Sequence, residues 1–148
     1  MGLAAFFLWA GLAAGCPVTP PPQVGFVPPA PFPSAAGAGR FYLGNEKLWI
    51  SNFRDWSVVG LKTEPGYRVK FPWFSADLTS AEDRKAELEI SGRRLDGEAP
   101  PLIVEGPNVG ILRGYRFFAS ALIFPAGGCW EVTARRKGTE LTFVVSIP

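Results

Sequence analysis

The chain has no histidine, and its first 39 residues contain no Lys, Arg, Asp or Glu. Without histidine, the commonest general base near neutral pH and the commonest transition-metal ligand are both missing. Cysteine is scarce as well, with only Cys16 and Cys129. No metal-ligand spacing, nucleophile elbow, phosphate-binding loop or dinucleotide fingerprint occurs. The carboxylates are scattered, and no motif sets two of them as a glycosidase-type pair. A net charge of +2 is far from the basic stripe expected of a nucleic-acid binder. The expectation is therefore a protein without catalytic residues, metal, cofactor or nucleic-acid partner.

Charge divides the chain in two. Residues 1–39 are apolar and rich in Pro, Gly and Ala, whereas residues 40–148 carry mixed charge and period-two patterning. The second part has the size of a single sandwich of about 100 residues, large enough to bury a core without metal or disulfide staples.

Residues 3–14 form an apolar run too short to span a membrane, which takes roughly 20 residues, but suited to the h-region of a signal peptide. The run ends in Leu12-Ala13-Ala14-Gly15-Cys16. Ala13-Ala14-Gly15-Cys16 resembles the lipobox of bacterial lipoproteins, with Ala13 where leucine is more usual. In that family small side chains admit the peptidase and the thiol receives diacylglycerol. The resemblance implies a signal peptide at 1–15 and a mature chain that begins at acylated Cys16, with membrane lipid as its partner. Several acyl chains on one residue would make that attachment stable. Pro17 in place of an aspartate implies the outer membrane of a two-membrane cell, or the outer face of a single one. Met1-Gly2-Leu3 lacks the usual basic residue, so either the α-amino group serves alone or the start lies upstream.

Residues 16–39 include Pro20-Pro21-Pro22 and Pro28-Pro29-Ala30-Pro31-Phe32-Pro33. Proline at this density blocks sheet and helix and favours an extended polyproline spacer, here a tether. Phe26, Val27 and Phe32 fit a plain tether poorly, since a stalk has no use for exposed aromatics.

Within residues 40–148, residues 128–147 read as a β-hairpin around Lys137-Gly138. Trp130, Val132 and Ala134 share a face, and so do Leu141, Phe143, Val145 and Ile147. Residues 40–52 give one or two strands turning at Gly44-Asn45, and residues 56–61 another candidate. Tyr67, Val69 and Phe71 mark a half-buried strand that Pro72 places at an edge or ends. Residues 79–86 carry capping-box spacings and predict one or two helical turns. Residues 87–95 alternate, 102–104 and 109–112 are short apolar runs, and 116–124 is apolar on both sides, as for a central strand or one with a sticky outer face. Some eight short strands with turns between them indicate an all-β sandwich. The Gly128-Cys129-Trp130 hairpin resembles the last two strands of immunoglobulin-like domains of bacterial envelope proteins, which implies an immunoglobulin-like antiparallel sandwich.

Three groups of residues are candidate sites. Cys129 lacks a histidine to activate it and reads as buried filler; without lipid on Cys16, a Cys16–Cys129 disulfide becomes possible. The aromatics around Trp49 read mainly as core, with Trp56, Trp73 and Phe74 as a possible platform for stacking on sugar rings. Arg93-Arg94 and Arg135-Arg136-Lys137 read as solvated strand ends, or else as contacts to anionic lipid or wall polymer. The function expected is that of a lipid-anchored cell-envelope protein with a non-catalytic sandwich in a structural or protein-contact role; a polysaccharide-binding module is the alternative.

Overall fold

The computed structural model describes residues 15–53, 61–78, 87–112 and 114–148. It is all-β, with two antiparallel sheets and no helix among the described residues. The helical expectation at 79–86 and Trp56 lie outside them.

The terminal hairpin forms as its alternation demands. β8 (Gly128–Arg136) and β9 (Thr139–Ile147) pair from Gly128↔Ile147 to Arg136↔Thr139. Lys137 and Gly138 both take positive φ, 45° and 77°, the two-residue turn whose twist matches that of its strands. β5 (Glu89–Arg94) pairs with the other side of β8, giving the small sheet β5-β8-β9.

The large sheet has the order β1-β2-β4-β7-β6, built from β1 (Arg40–Asn45), β2 (Leu48–Phe53), β4 (Tyr67–Phe74), β7 (Tyr115–Phe124) and β6 (Ile103–Leu112). A two-residue strand, β3 (Leu61–Lys62), also pairs with β4. The sheets meet through aromatic rings: Phe71 and Trp73 of β4 lie 5.7 and 5.9 Å from Phe143 of β9, and Phe124 of β7 lies 5.5 Å from Trp130 of β8. Rings of this size carry much of the burial that holds such a core together.

β7 lies between β4 and β6 and is covered on both sides. Phe118, Leu122 and Phe124 face the core, while Ala121 and Ile123 are buried on the outer face. The outer cover is an ion pair. Arg68 pairs in register with Ile123, and Glu105 with Ala121, so the Arg68–Glu105 bridge at 2.7 Å reaches across β7. Along this half of β7 the apolar alternation therefore leaves no sticky outer face.

Two expectations are corrected. β4 neither ends at Pro72 nor lies at an edge; it runs to Phe74 in the middle of the sheet. On the flank away from β7, pairing with β2 covers Trp73 and Phe74, and pairing with β3 covers Tyr67 and Arg68. Among the described residues Pro72 has no ladder partner on that flank, a place where a residue without an N–H is tolerated. Residues 16–39 are likewise no free spacer. The Thr19 N–H donates to the Val144 carbonyl at 3.0 Å, and Thr19 Oγ1 accepts from the Val144 N–H at 2.7 Å. Those bonds occupy part of the open edge of β9, a group of backbone donors and acceptors that would otherwise face solvent unpaired. The chain then crosses to the outer face of the large sheet and enters β1.

Candidate functional site

Register decides which side chains reach that outer face. Trp49 of β2 pairs with Phe74 of β4, and Ile50 pairs with Trp73. Trp49 and Phe74 therefore point outward while Ile50 and Trp73 point into the core, because neighbours along a strand alternate. The Trp49 and Phe74 rings lie 5.8 Å apart with 19° between their planes. Tyr42 and Ser51, paired across β1 and β2, share that face, and Tyr115 flanks it from the start of β7.

A groove of about 410 Å³ lies between this surface and residues 33–38, with Trp49, Phe74 and Pro72 as floor and Tyr42, Tyr115 and Arg40 at its sides. Its volume and mixture of rings with a few polar groups suit a small ligand or a short extended segment. Burial, and then the neighbouring Tyr115, push the Tyr42 phenol above its ordinary pKa. The hydroxyl therefore stays protonated at neutral pH and donates to the carbonyls of Pro33 at 3.0 Å and Ala35 at 3.3 Å. The described residues that line the groove are rings, hydroxyls, small side chains and Arg40, a set suited to recognition.

The proposed aromatic platform does not assemble as such. Trp73 is fully buried and donates its indole N–H to Ser120 Oγ at 2.8 Å in the core. Phe74 lines the groove but is itself buried, with Phe32 edge-on to it at 6.0 Å, and Trp56 lies outside the described residues. Tyr42, Trp49 and Tyr115 were not singled out as site residues from the sequence. A signal existed: Leu48-Trp49-Ile50 and Phe71 to Phe74 are continuous apolar runs, as expected of strands covered on both faces.

Cys16 and Cys129 form a disulfide, with Cα atoms 5.3 Å apart. Cys129 is thus neither filler nor without a partner. The pairing also bears on the lipid reading, because a sulfur bonded to Cys129 cannot carry diacylglycerol. Cys129 alternates with the inward Trp130, so the bond sits on the outer side of the small sheet. It ties the start of residues 16–39, an N-terminal strap across the sheets, to β8.

The basic residues at strand ends are mostly paired. Arg93 meets Glu131, Arg94 meets Asp96 and Arg135 meets Glu140. Arg136 departs from the expectation of a solvated end: it is buried, donates to both Asp77 oxygens at 2.7 and 2.9 Å, and lies over the Phe118 ring at 5.2 Å. Its place at the inward end of β8 follows from the same alternation that buries Ala134. Burial alone would raise the Asp77 pKa, but hydrogen bonds from Ser75, Arg136 and Lys137 outweigh it and lower the value to about 2.

A depressed carboxyl pKa contributes stability that is present above the unfolded value and lost as pH falls through the folded one. The Asp77 contribution is therefore expected to fade between about pH 4 and pH 2. Asp77→Asn should lower stability near neutral pH by about 1–2 kcal/mol, a figure kept small because the carboxylate is half exposed. Urea midpoints of both proteins across this range are the check; a gap that stays constant down to about pH 2 would contradict the assignment.

Comparison with family models, curated proteins and solved structures finds no match to this chain.

Proposed function

We propose that this chain is an exported cell-envelope protein whose sandwich acts as a structural or protein-contact module without catalysis. The observation that carries the reading is the Cys16–Cys129 bond immediately behind an apolar, uncharged segment of signal-peptide length. Disulfides persist in oxidising compartments outside the cytosol, so the bond and the segment point the same way. Strand order supports the immunoglobulin-like comparison. Counting β2, β4, β5, β6, β7, β8 and β9 as seven successive strands, one sheet reads first, second, fifth, fourth and the other third, sixth, seventh. That is the arrangement of constant-type immunoglobulin domains. The disulfide differs from theirs, since it joins β8 to the N-terminal strap and not one sheet to the other.

Lipid attachment and the disulfide are rival fates of one sulfur, and both require export. Mass spectrometry of the mature protein under non-reducing conditions separates them. The expected product starts at Cys16 and yields a peptide linked to Cys129. A diacylglyceryl group on Cys16 would instead place the protein at a membrane, outer where the cell has two, and Cys16→Ser would then release it. Retention of residues 1–15 with two free thiols in the cytosol would sink the export reading altogether.

The groove supports polysaccharide binding as a second reading, because the half-buried Tyr42 and Tyr115 at its sides present rings and hydroxyls that suit a sugar ring, while Trp49 and Phe74 are buried. Calorimetric titration with envelope polysaccharide should then show binding that Tyr115→Ala weakens; no heat with any glycan would remove it.

A further inference from the structure

Residues 26–33 read Phe-Val-Pro-Pro-Ala-Pro-Phe-Pro, and they lie across the aromatic face just described. Phe26 approaches Trp49 at 5.5 Å; Phe32 stands edge-on to Trp49 at 4.9 Å and is stacked on Tyr115 at 5.1 Å. Pro28 is buried, and Tyr42 donates to the Pro33 carbonyl. The segment is extended up to Pro29 and then turns, the Phe32 N–H donating to the Pro29 carbonyl at 3.1 Å; as in aromatic-lined grooves that receive proline-rich segments, rings take the pyrrolidine and side-chain faces and a hydroxyl donor takes a carbonyl.

The segment is attached at its two ends. At one end are the Thr19 bonds and the disulfide. At the other, residues 34–39 are small, and no described residue has an atom within 4 Å of where a Cβ would stand on Gly37 or Gly39, both at positive φ. The strap therefore rests on the sheet from outside and joins β1 through a glycine turn in which the Arg40 N–H donates to the Gly37 carbonyl at 3.2 Å.

We propose that the outer face of the large sheet is a receptor for a proline-rich, aromatic-flanked segment that turns between its two phenylalanines, that residues 26–33 are its internal occupant, and that opening the disulfide lets the same segment of a second copy take their place. This rests on the protein-contact reading and names the contact. The opening step is a two-electron reduction: a dithiol gives up two electrons and two protons, ends as its own disulfide, and leaves Cys16 and Cys129 as thiols. While one end stays tethered, the internal segment competes at a millimolar effective concentration, so exchange needs both tethers released or a high protein concentration.

The test uses the full chain with a specific protease site placed between Ala36 and Gly37. Cut but oxidised, the protein is expected to keep its strap on the disulfide. Cut and reduced, it should release the strap while the sheets keep their far-ultraviolet circular dichroism. A labelled peptide of residues 24–35 should then bind saturably, and about tenfold more weakly with Phe32→Ala, the loss expected from one ring contact. In the uncut chain, reduction should bring exchange of the Thr19 amide well below the protection of β8, whose amides follow only the global loss of stability. The proposal falls if the strap stays bound after cutting and reduction, if the sandwich unfolds as the strap leaves, if the Phe32→Ala peptide binds equally well, or if glycans bind the opened face and the peptide does not. None of these outcomes depends on where the protein resides, which the mature N-terminus reports separately.

Discussion

Replacing Cys129 with alanine is expected to lower stability by about 4 kcal/mol, and reducing the native bond by a similar amount. Cys16 and Cys129 are separated by 113 residues, so the crosslink closes nearly the whole described chain into one loop. In the chain-entropy account a loop of that length removes about 4–5 kcal/mol worth of freedom from the unfolded state. Cys129 is also buried, so alanine leaves a small cavity that adds to the loss. Urea unfolding of oxidised and reduced protein gives the number directly. A difference below about 1 kcal/mol would mean that the unfolded chain is already compact, or that the bond strains the native strap as much as it restrains the unfolded chain. Cys16→Ser should behave like the reduced protein, because it breaks the same bond from the exposed end.

Trp73→Ala is expected to cost about 4 kcal/mol, within the range for removing a large buried aromatic. Trp73 is fully buried, packs on Phe71 and Phe143, and gives Ser120 a hydrogen bond inside the core. Truncation leaves both a cavity and a buried hydroxyl without its partner, and the two penalties add. Trp73→Phe should recover roughly half by refilling most of the space while still leaving Ser120 unsatisfied. Denaturant unfolding checks both variants. A near-neutral Trp73→Ala would be the result expected of an exposed stacking platform, and it would overturn the register that turns this ring inward. Phe74→Ala differs in kind: it removes part of the groove floor, so its effect should extend to how firmly residues 26–33 are held.

The register of β2 against β4 shows where sequence reading stops. Leu48-Trp49-Ile50 and Trp73-Phe74 are apolar without alternation, which signals cover on both faces but not which ring faces which cover. One residue of slip would exchange Trp73 with Phe74, core with groove. Hairpin β8–β9 was legible because its turn lies within the pattern itself: Lys137-Gly138 fixes the pairing, and alternation then assigns every side chain. β7 was legible too, since only a central strand buries Phe118 and Ile123 together. Pro72 misled because proline is usually read against a strand's own edges, whereas here it has no ladder partner among the described residues on one flank of a strand in mid-sheet. Residues 16–39 misled for a related reason. Their composition favours an extended, polyproline-like chain, yet it carries no information about where that chain turns, as between Pro29 and Phe32, or whether it meets solvent or an aromatic surface.

What the sequence by itself determined is local: strand periodicity, the hairpin turn, the uncharged N-terminal stretch and the absence of acid–base chemistry built on histidine. Those depend on side-chain alternation and residue type over a few positions, and they follow from the order of residues alone. Only the tertiary structure decided the rest, namely that Cys16 meets Cys129, that Arg136 is buried against Asp77, and that Phe26 and Phe32 cover Trp49 instead of standing off a membrane. Each of these joins positions tens of residues apart in the chain. Such partners are chosen by the packing of two finished sheets, which no short window of residues contains.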